Sequence, residues 1–499
     1  MRSSGILLHP TSLPGPFGVG DLGPEAERFL DWAAAAGQTL WQILPIGPTG
    51  GGSPYTSLSA FAGNPLWISP ERLVEDGYLP GDALVDFPAF RWDRVDFDAV
   101  PQWKDALLRK SWAHFSAHAT AQDRAELEAF RVAPERASWL AEWSLYAALK
   151  RDFGGRAWAD WEDDLSRRDP DALRLAAMAV EGETEYQGYL QFLFFRQWAR
   201  LRARARALGI RIVGDIPIYV AYDSADVWSH PELFELDERR RPVEVAGVPP
   251  DYFSKTGQLW GNPLYRWDVM ERDGYAWWVS RIAAALSVCD LLRIDHFRAF
   301  SAYWSVPATD ETALNGRWVP GPGRKLFDAA RRALGGQPLA LLAEDLGDIS
   351  KDVRVLLAAL RIPGMKVLQF AFYGADGEYL PHRYKRDCVV YTGTHDNDTA
   401  RGWYEGLTPE ERQRVGDYLG SDGREIEWGL IRAAWTSVAD RAIVPIQDVL
   451  GLGREARMND PSRPEGNWHW RLAPDALRPD LAERLRRLTE LSGRVSTKP

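Results

Sequence analysis

Eight short apolar runs, each bounded by turn-forming residues, constrain the fold of this chain more than any other feature. They occupy residues 5–9, 40–44, 210–214, 291–294, 339–343, 366–370, 388–391 and 442–446. The runs are apolar throughout instead of alternating, as expected of strands covered on both faces. Helical spacing appears at 24–36, 275–286, 325–334 and 350–360, in several of the gaps. Strand, helix and strand in succession argue for parallel pairing through right-handed crossovers, and eight such strands close on themselves. The expected fold class is α/β, a (β/α)8 TIM barrel. A length of 499 residues suits a large barrel that carries insertions.

The runs are unevenly spaced. The gap from residue 44 to residue 210 is far longer than one crossover needs, and it shows helical spacing at 103–119, 124–130, 139–149 and 186–208. We expect a large, mostly helical insertion between the second and third strands. The division is then 1–48 as the start of the barrel, 49–209 as the insertion, and 210–499 as the rest of the barrel. A Gly-, Pro- and aromatic-rich stretch within 245–265 reads as a long lid loop. Residues 474–491 read as a closing C-terminal helix.

Composition removes several function classes. Hydrophobic residues make up 45% and charged residues 26%, and no apolar run approaches the roughly 20 residues that span a bilayer. Membrane partners are not expected. The first ten residues lack the apolar stretch of a secretory signal, so a cytoplasmic location is expected. The two cysteines, Cys289 and Cys388, have no CxxC partner and read as core residues. A formal charge of −10 with scattered basic residues gives no footprint for nucleic acid. The 23 tryptophans are unusual, and flat indoles stack well on the apolar faces of sugars.

Four runs end directly, or after a short turn, in a carboxylate: Asp215, Asp295, Glu344 and Asp396. Singly, each could be a helix N-cap. In a barrel, however, the carboxyl ends of all strands meet at one face, which would gather the four acids into one pocket. Converging acids serve metal binding or glycoside chemistry. The eight histidines form no HxH or HExxH pattern, so neither a metal nor another cofactor is expected. Glycoside cleavage needs one carboxyl to protonate the leaving oxygen and another to attack or support the oxocarbenium-like centre. Glu344 and Asp295 fit those roles. Arg293 shares the strand face of Asp295, either as a routine ion pair or as the charge that supports an ionised nucleophile.

The order of motifs is more specific still. It runs through Gly5-Ile6-Leu7-Leu8-His9-Pro10-Thr11-Ser12-Leu13-Pro14, Trp41-Gln42-Ile43-Leu44-Pro45 and Ser53-Pro54-Tyr55, then Ser59-Ala60-Phe61-Ala62-Gly63-Asn64-Pro65 and Gly214-Asp215. It continues through the stretch 245–264, Arg293-Ile294-Asp295-His296-Phe297-Arg298, Ala343-Glu344-Asp345-Leu346-Gly347, Thr394-His395-Asp396-Asn397-Asp398-Thr399 and Gly466-Asn467-Trp468. Taken together, from residue 5 to about 472, the chain resembles the amylomaltases of glycoside hydrolase family 77. Its acids on strands four, five and seven are similar to those of the wider α-amylase group.

The resemblance implies a 4-α-glucanotransferase that moves a segment of α-1,4-glucan to the 4-hydroxyl of glucose or a maltodextrin through a covalent glycosyl-enzyme, and that can also cyclise long glucans. It implies that Asp295 is the nucleophile, Glu344 the general acid/base, and Asp396 the carboxylate that grips sugar hydroxyls. Tyr55 would stack on the sugar at the cleavage point, with Ser53, Asp215, Arg293, His296, Asp345, His395 and Asn467 as further substrate-binding positions. Asp251, Tyr252, Phe253 and Trp260 would fold over the acceptor side. The turn Gly50-Gly51-Gly52 lacks the tyrosine that some relatives place there, which puts an auxiliary glucan-binding spot in doubt. Two alternatives use the same scaffold: an α-amylase-type hydrolase, and a non-catalytic glucan-binding barrel.

Overall fold

The computed structural model describes residues 2–50, 52–250, 254–347, 349–373, 378–463 and 465–495. All eight apolar runs become parallel strands of one sheet. In chain order the strands are Ser3–Leu7, Leu40–Gln42, Arg211–Pro217, Leu291–Asp295, Leu341–Ala343, Gly364–Val367, Cys388–Tyr391 and Arg441–Pro445. Each pairs with its neighbour in sequence except the fifth with the sixth, and the eighth returns to the first, with Ser3 opposite Arg441. Between the fifth and sixth strands the ring is drawn together by Ala343 N donating to Pro363 O at 2.9 Å and by Met365 N donating to the Asp345 carboxylate at 2.6 Å.

The unbroken apolar runs follow from this closure. Successive strand residues point inward and outward. Leu7, Leu40, Val213, Leu291, Leu342, Val389, Tyr391 and Ile443 pack inside the barrel. Their neighbours Ile6, Trp41, Ile212, Leu292, Leu341, Val390 and Ala442 pack outward against the helices. The first strand leaves the sheet two residues before the expected end, because Pro10 lacks a ladder N–H and opens the short turn Pro10–Ser12. The sixth likewise gives way after Val367 to a 3-10 turn, Leu368–Phe372.

Residues between the second and third strands form the helices Ala99–His118, Ala121–Val132, Leu140–Asp152, Pro170–Ala179 and Glu181–Ala207. The last is 27 residues, about 40 Å long, and joins the insertion to the barrel. Its N-terminal part packs among the insertion aromatics. Farther on, Trp198 Nε1 donates to Val288 O at 3.0 Å, and Arg202 donates to Cys289 O at 2.7 Å and to Asp290 at 2.9 Å, just before the fourth strand.

The expected lid loop is largely not a loop. Glu244–Val248 and Gln258–Pro263 pair as antiparallel strands, and a second hairpin, Ala302–Pro307 with Arg317–Pro320, extends them into a four-stranded sheet. Gly247, Pro249 and Pro250 conceal the strand character of the first hairpin in the sequence. The glycine is required, since a Cβ there would lie 2.6 Å from Gln258 O. Asp251, Tyr252 and Phe253 lie outside the described residues. Among the described residues no helix is long and apolar enough to cross a membrane.

Candidate active site

The inward-facing residues change character toward the carboxyl ends of the strands. Asp215 stands two positions beyond the interior Val213, Arg293 two beyond Leu291, and Glu344 two beyond Leu342. Strand alternation therefore stacks a polar layer directly on the apolar interior. In this layer Arg293 is 2% exposed and donates to Asp215 at 2.6 Å and to Asp295 at 2.7 Å. Ile294 is registered with Ala343, so the next residues, Asp295 and Glu344, project side by side from adjacent strands.

Glu344 is held by two backbone donors, His296 N at 2.8 Å and Leu346 N at 2.7 Å. The first depends on an uncommon backbone: His296 has φ 52° and ψ 49°, a left-handed conformation costing a β-carbon residue about 1–3 kcal/mol. This turn aims the peptide N–H at Glu344 and sets the imidazole edge-on against Trp260, with ring centroids 4.8 Å apart.

The insertion supplies the opposite wall. Tyr55 Oη donates to Asp215 at 2.8 Å, and its ring stacks on His395 at 5.3 Å with an interplanar angle of 15°. The segment bearing Tyr55 is pinned by a two-way amide pair between Gly63 and Gln191, at 2.8 and 3.0 Å, and by Ala60 N donating to Asp226 at 2.8 Å. His395 is buried, with Nε2 3.4 Å from Asp396.

Three expected contact residues do not join this set. Ser53 Oγ accepts from Tyr55 N at 3.3 Å and so shapes the turn behind the tyrosine. Asp345 points to the sixth strand, where a Cβ on Gly364 would lie 2.3 Å from its carboxylate. The Asn467 amide is engaged within its own loop, accepting from Asp460 N at 2.8 Å and donating to Arg463 O at 2.9 Å. Conversely, sequence reasoning missed Asn459 and Arg457. Asn459 Nδ2 donates to Asp396 at 2.6 Å, and Arg457 Nη2 donates to the Asp396 carbonyl at 2.7 Å. The nearest signal was their place just before the Gly466-Asn467-Trp468 motif, on a connection at the carboxyl-end face. Gln42 and Tyr391, joined at 2.8 Å, complete the floor.

Residues 8–477 match the family model described as 4-alpha-glucanotransferase. The chain is 50% identical, over 99% of both chains, to a 4-alpha-glucanotransferase of Thermus thermophilus. It is 46% identical to the chloroplastic/amyloplastic 4-alpha-glucanotransferase of Solanum tuberosum, over 99% of this chain and 87% of that one. The chain belongs to this family. An amylomaltase from Streptococcus agalactiae, solved in complex with acarbose, superposes with a TM-score of 0.95 at 36% identity, covering 99% of this chain and 100% of that one.

Electrostatics separates the two side-by-side carboxyls of this 4-alpha-glucanotransferase. Withdrawal from water and the charge of Asp295 push Glu344 up to about 8, although Arg293 and the Leu346 N–H act in the other direction. Asp215 is pushed up to about 7, chiefly by burial, against the pull of Arg293. Burial lowers His296 to about 4 and also lowers His395, so both imidazoles are neutral near pH 7. A carboxyl raised in this way, beside one that accepts from a buried guanidinium, is an arrangement suited to acid and nucleophile chemistry.

Proposed function

We propose that this 4-alpha-glucanotransferase works by a retaining double displacement on α-1,4-glucan, with Asp295 as nucleophile and Glu344 as general acid/base. The observation that carries the reading is the register of these two residues. Adjacent strands lie about 4.8 Å apart. Carboxyls projecting from matched positions then fall near the roughly 5–5.5 Å of retaining enzymes, not the 6.5–9.5 Å that leaves room for an inverting water.

In the first step an Asp295 oxygen attacks the anomeric carbon while the bond to the leaving sugar oxygen breaks, and Glu344 transfers its proton to that oxygen. The glucan segment is then held as an ester. In the second step the 4-hydroxyl of an acceptor glucose or maltodextrin gives its proton to Glu344, and its oxygen displaces Asp295. Arg293 balances the returning carboxylate. Asp396, fixed by Asn459, and neutral His395 provide hydrogen-bonding groups for the sugar between them, and Tyr55 offers its ring. Trp260 stands over the His296 side, where the acceptor enters. Residues 49–209 act as a subdomain forming one wall of this cleft, and the enzyme works on soluble glucans in the cytoplasm.

Stereochemistry tests the mechanism. Proton NMR during the first turnovers on maltotriose should show newly formed linkages, and any newly released reducing end of the transferred segment, in the α configuration. A β-anomer appearing first would rule out Asp295 as nucleophile.

A further inference from the structure

Among the described residues the most exposed tryptophans are Trp92, Trp260 and Trp318, at 58%, 38% and 40% exposure. Two of the three belong to the four-stranded sheet above the barrel, on its opposite edge strands. Trp260 packs on His296 and has a place in the cleft. Trp318 has none in the chemistry described so far.

Its surroundings are those of a braced ring. Trp304, directly opposite in register, meets it edge-on at 5.2 Å and 67°. Trp304 is itself fixed by Nε1 donating to Ala313 O at 2.9 Å, and by Gly316, where a Cβ would lie 2.2 Å from that nitrogen. The Arg298 guanidinium lies 4.0 Å over the Trp318 ring. Arg298 belongs to the short turn Phe297–Phe300, which follows Asp295 and His296 directly. The indole is thus tied to the same turn that positions Glu344, while much of its surface remains open.

We propose that Trp318 is a stacking platform for a long α-1,4-glucan, taking sugar units that extend beyond those held at the cleavage point. The inference rests on the glucan-transfer reading. A glucan offers apolar C–H faces rimmed by hydroxyls, the complement of a flat indole beside a cationic donor. Holding the ring in advance lowers the ordering cost of binding a flexible chain. The occupant is the enzyme's own polymeric substrate because Arg298, which lies over the ring, belongs to the turn that directly follows Asp295 and His296.

The test compares wild type with Trp318→Ala, Trp318→Leu and Trp318→Phe, using maltotriose and long-chain amylose as separate substrates. Loss of the flat face in the Ala and Leu variants should lower kcat/KM on amylose about fivefold through KM, with less than about a twofold change on maltotriose, and Phe should restore most of the loss. Retardation in native gels containing amylose should weaken in parallel. Leu keeps apolar bulk on the strand, so it carries the comparison if the Ala variant melts early. Equal losses on both substrates, or unchanged amylose kinetics and retardation, would overturn the platform. Absence of transfer by the wild type on maltotriose would instead remove the glucan-transfer reading, and the gel would still report on Trp318.

Discussion

Replacing Glu344 by Gln is expected to cut transfer by at least about a thousandfold, and Asp295→Asn to do the same, with melting curves close to wild type. Both substitutions keep side-chain volume and remove only the proton or the nucleophilic charge. The Gln carbonyl oxygen can still accept one of the two N–H groups that now hold Glu344. The raised Glu344 gives the prediction a pH signature. Its acid form must be present for the first step, so kcat/KM on maltotriose should fall as pH rises through about 8. The residual activity of Glu344→Gln should lack that limb. Either variant retaining full activity would refute the assignment.

Removing the buried cation should have the second-largest effect. Arg293 bridges Asp215 and Asp295, and Arg293→Met would leave two carboxyls on adjacent strands without the cation that joins them. Breaking such a pair costs about 3–5 kcal/mol. Loss of a preorganised charge beside the reacting centre costs at least about a hundredfold in rate. The sign with pH follows from Asp215, whose carboxyl is already pushed up to about 7 by burial, with Arg293 lowering it. Without the arginine it rises further. A carboxyl raised in the folded state costs stability as pH climbs from its unfolded value to its folded value and no further, so the variant, with the higher folded value, goes on losing stability above about 7 where the wild type has stopped. The melting deficit of Arg293→Met relative to wild type should therefore be larger at pH 8 than at pH 5.5. A deficit that shrinks as pH rises would mean that the arginine does not serve to balance these acids.

The barrel was legible because parallel strands covered on both faces leave short, uninterrupted apolar runs, and all eight such runs are strands. Asp215, Arg293, Asp295 and Glu344 were legible for a related reason: they interrupt that apolarity at one end of each run, and closure brings those ends together. The small antiparallel sheet was not. Its first hairpin carries Gly and Pro where strands usually do not, and the alternation in Ala302–Pro307 is too short to stand out among so many aromatics. Backbone contributions leave still less trace. No residue type announces that the His296 and Leu346 N–H groups serve Glu344, or that His296 adopts a left-handed conformation to do so. Asn459 escaped because its part depends on where a long surface connection returns to the barrel. The same dependence applies to Asp345 and Asn467, motif residues whose side chains accept from backbone N–H groups.

The central claim is that the glycosyl-enzyme is resolved by a sugar hydroxyl and not by water. One time course on maltotriose tests it, following free glucose, the chain-length distribution and total reducing ends together. Transfer should release glucose and build maltodextrins longer than the starting trisaccharide while total reducing ends stay constant. A rise in reducing ends that keeps pace with glucose release, with no product longer than maltotriose, would contradict it.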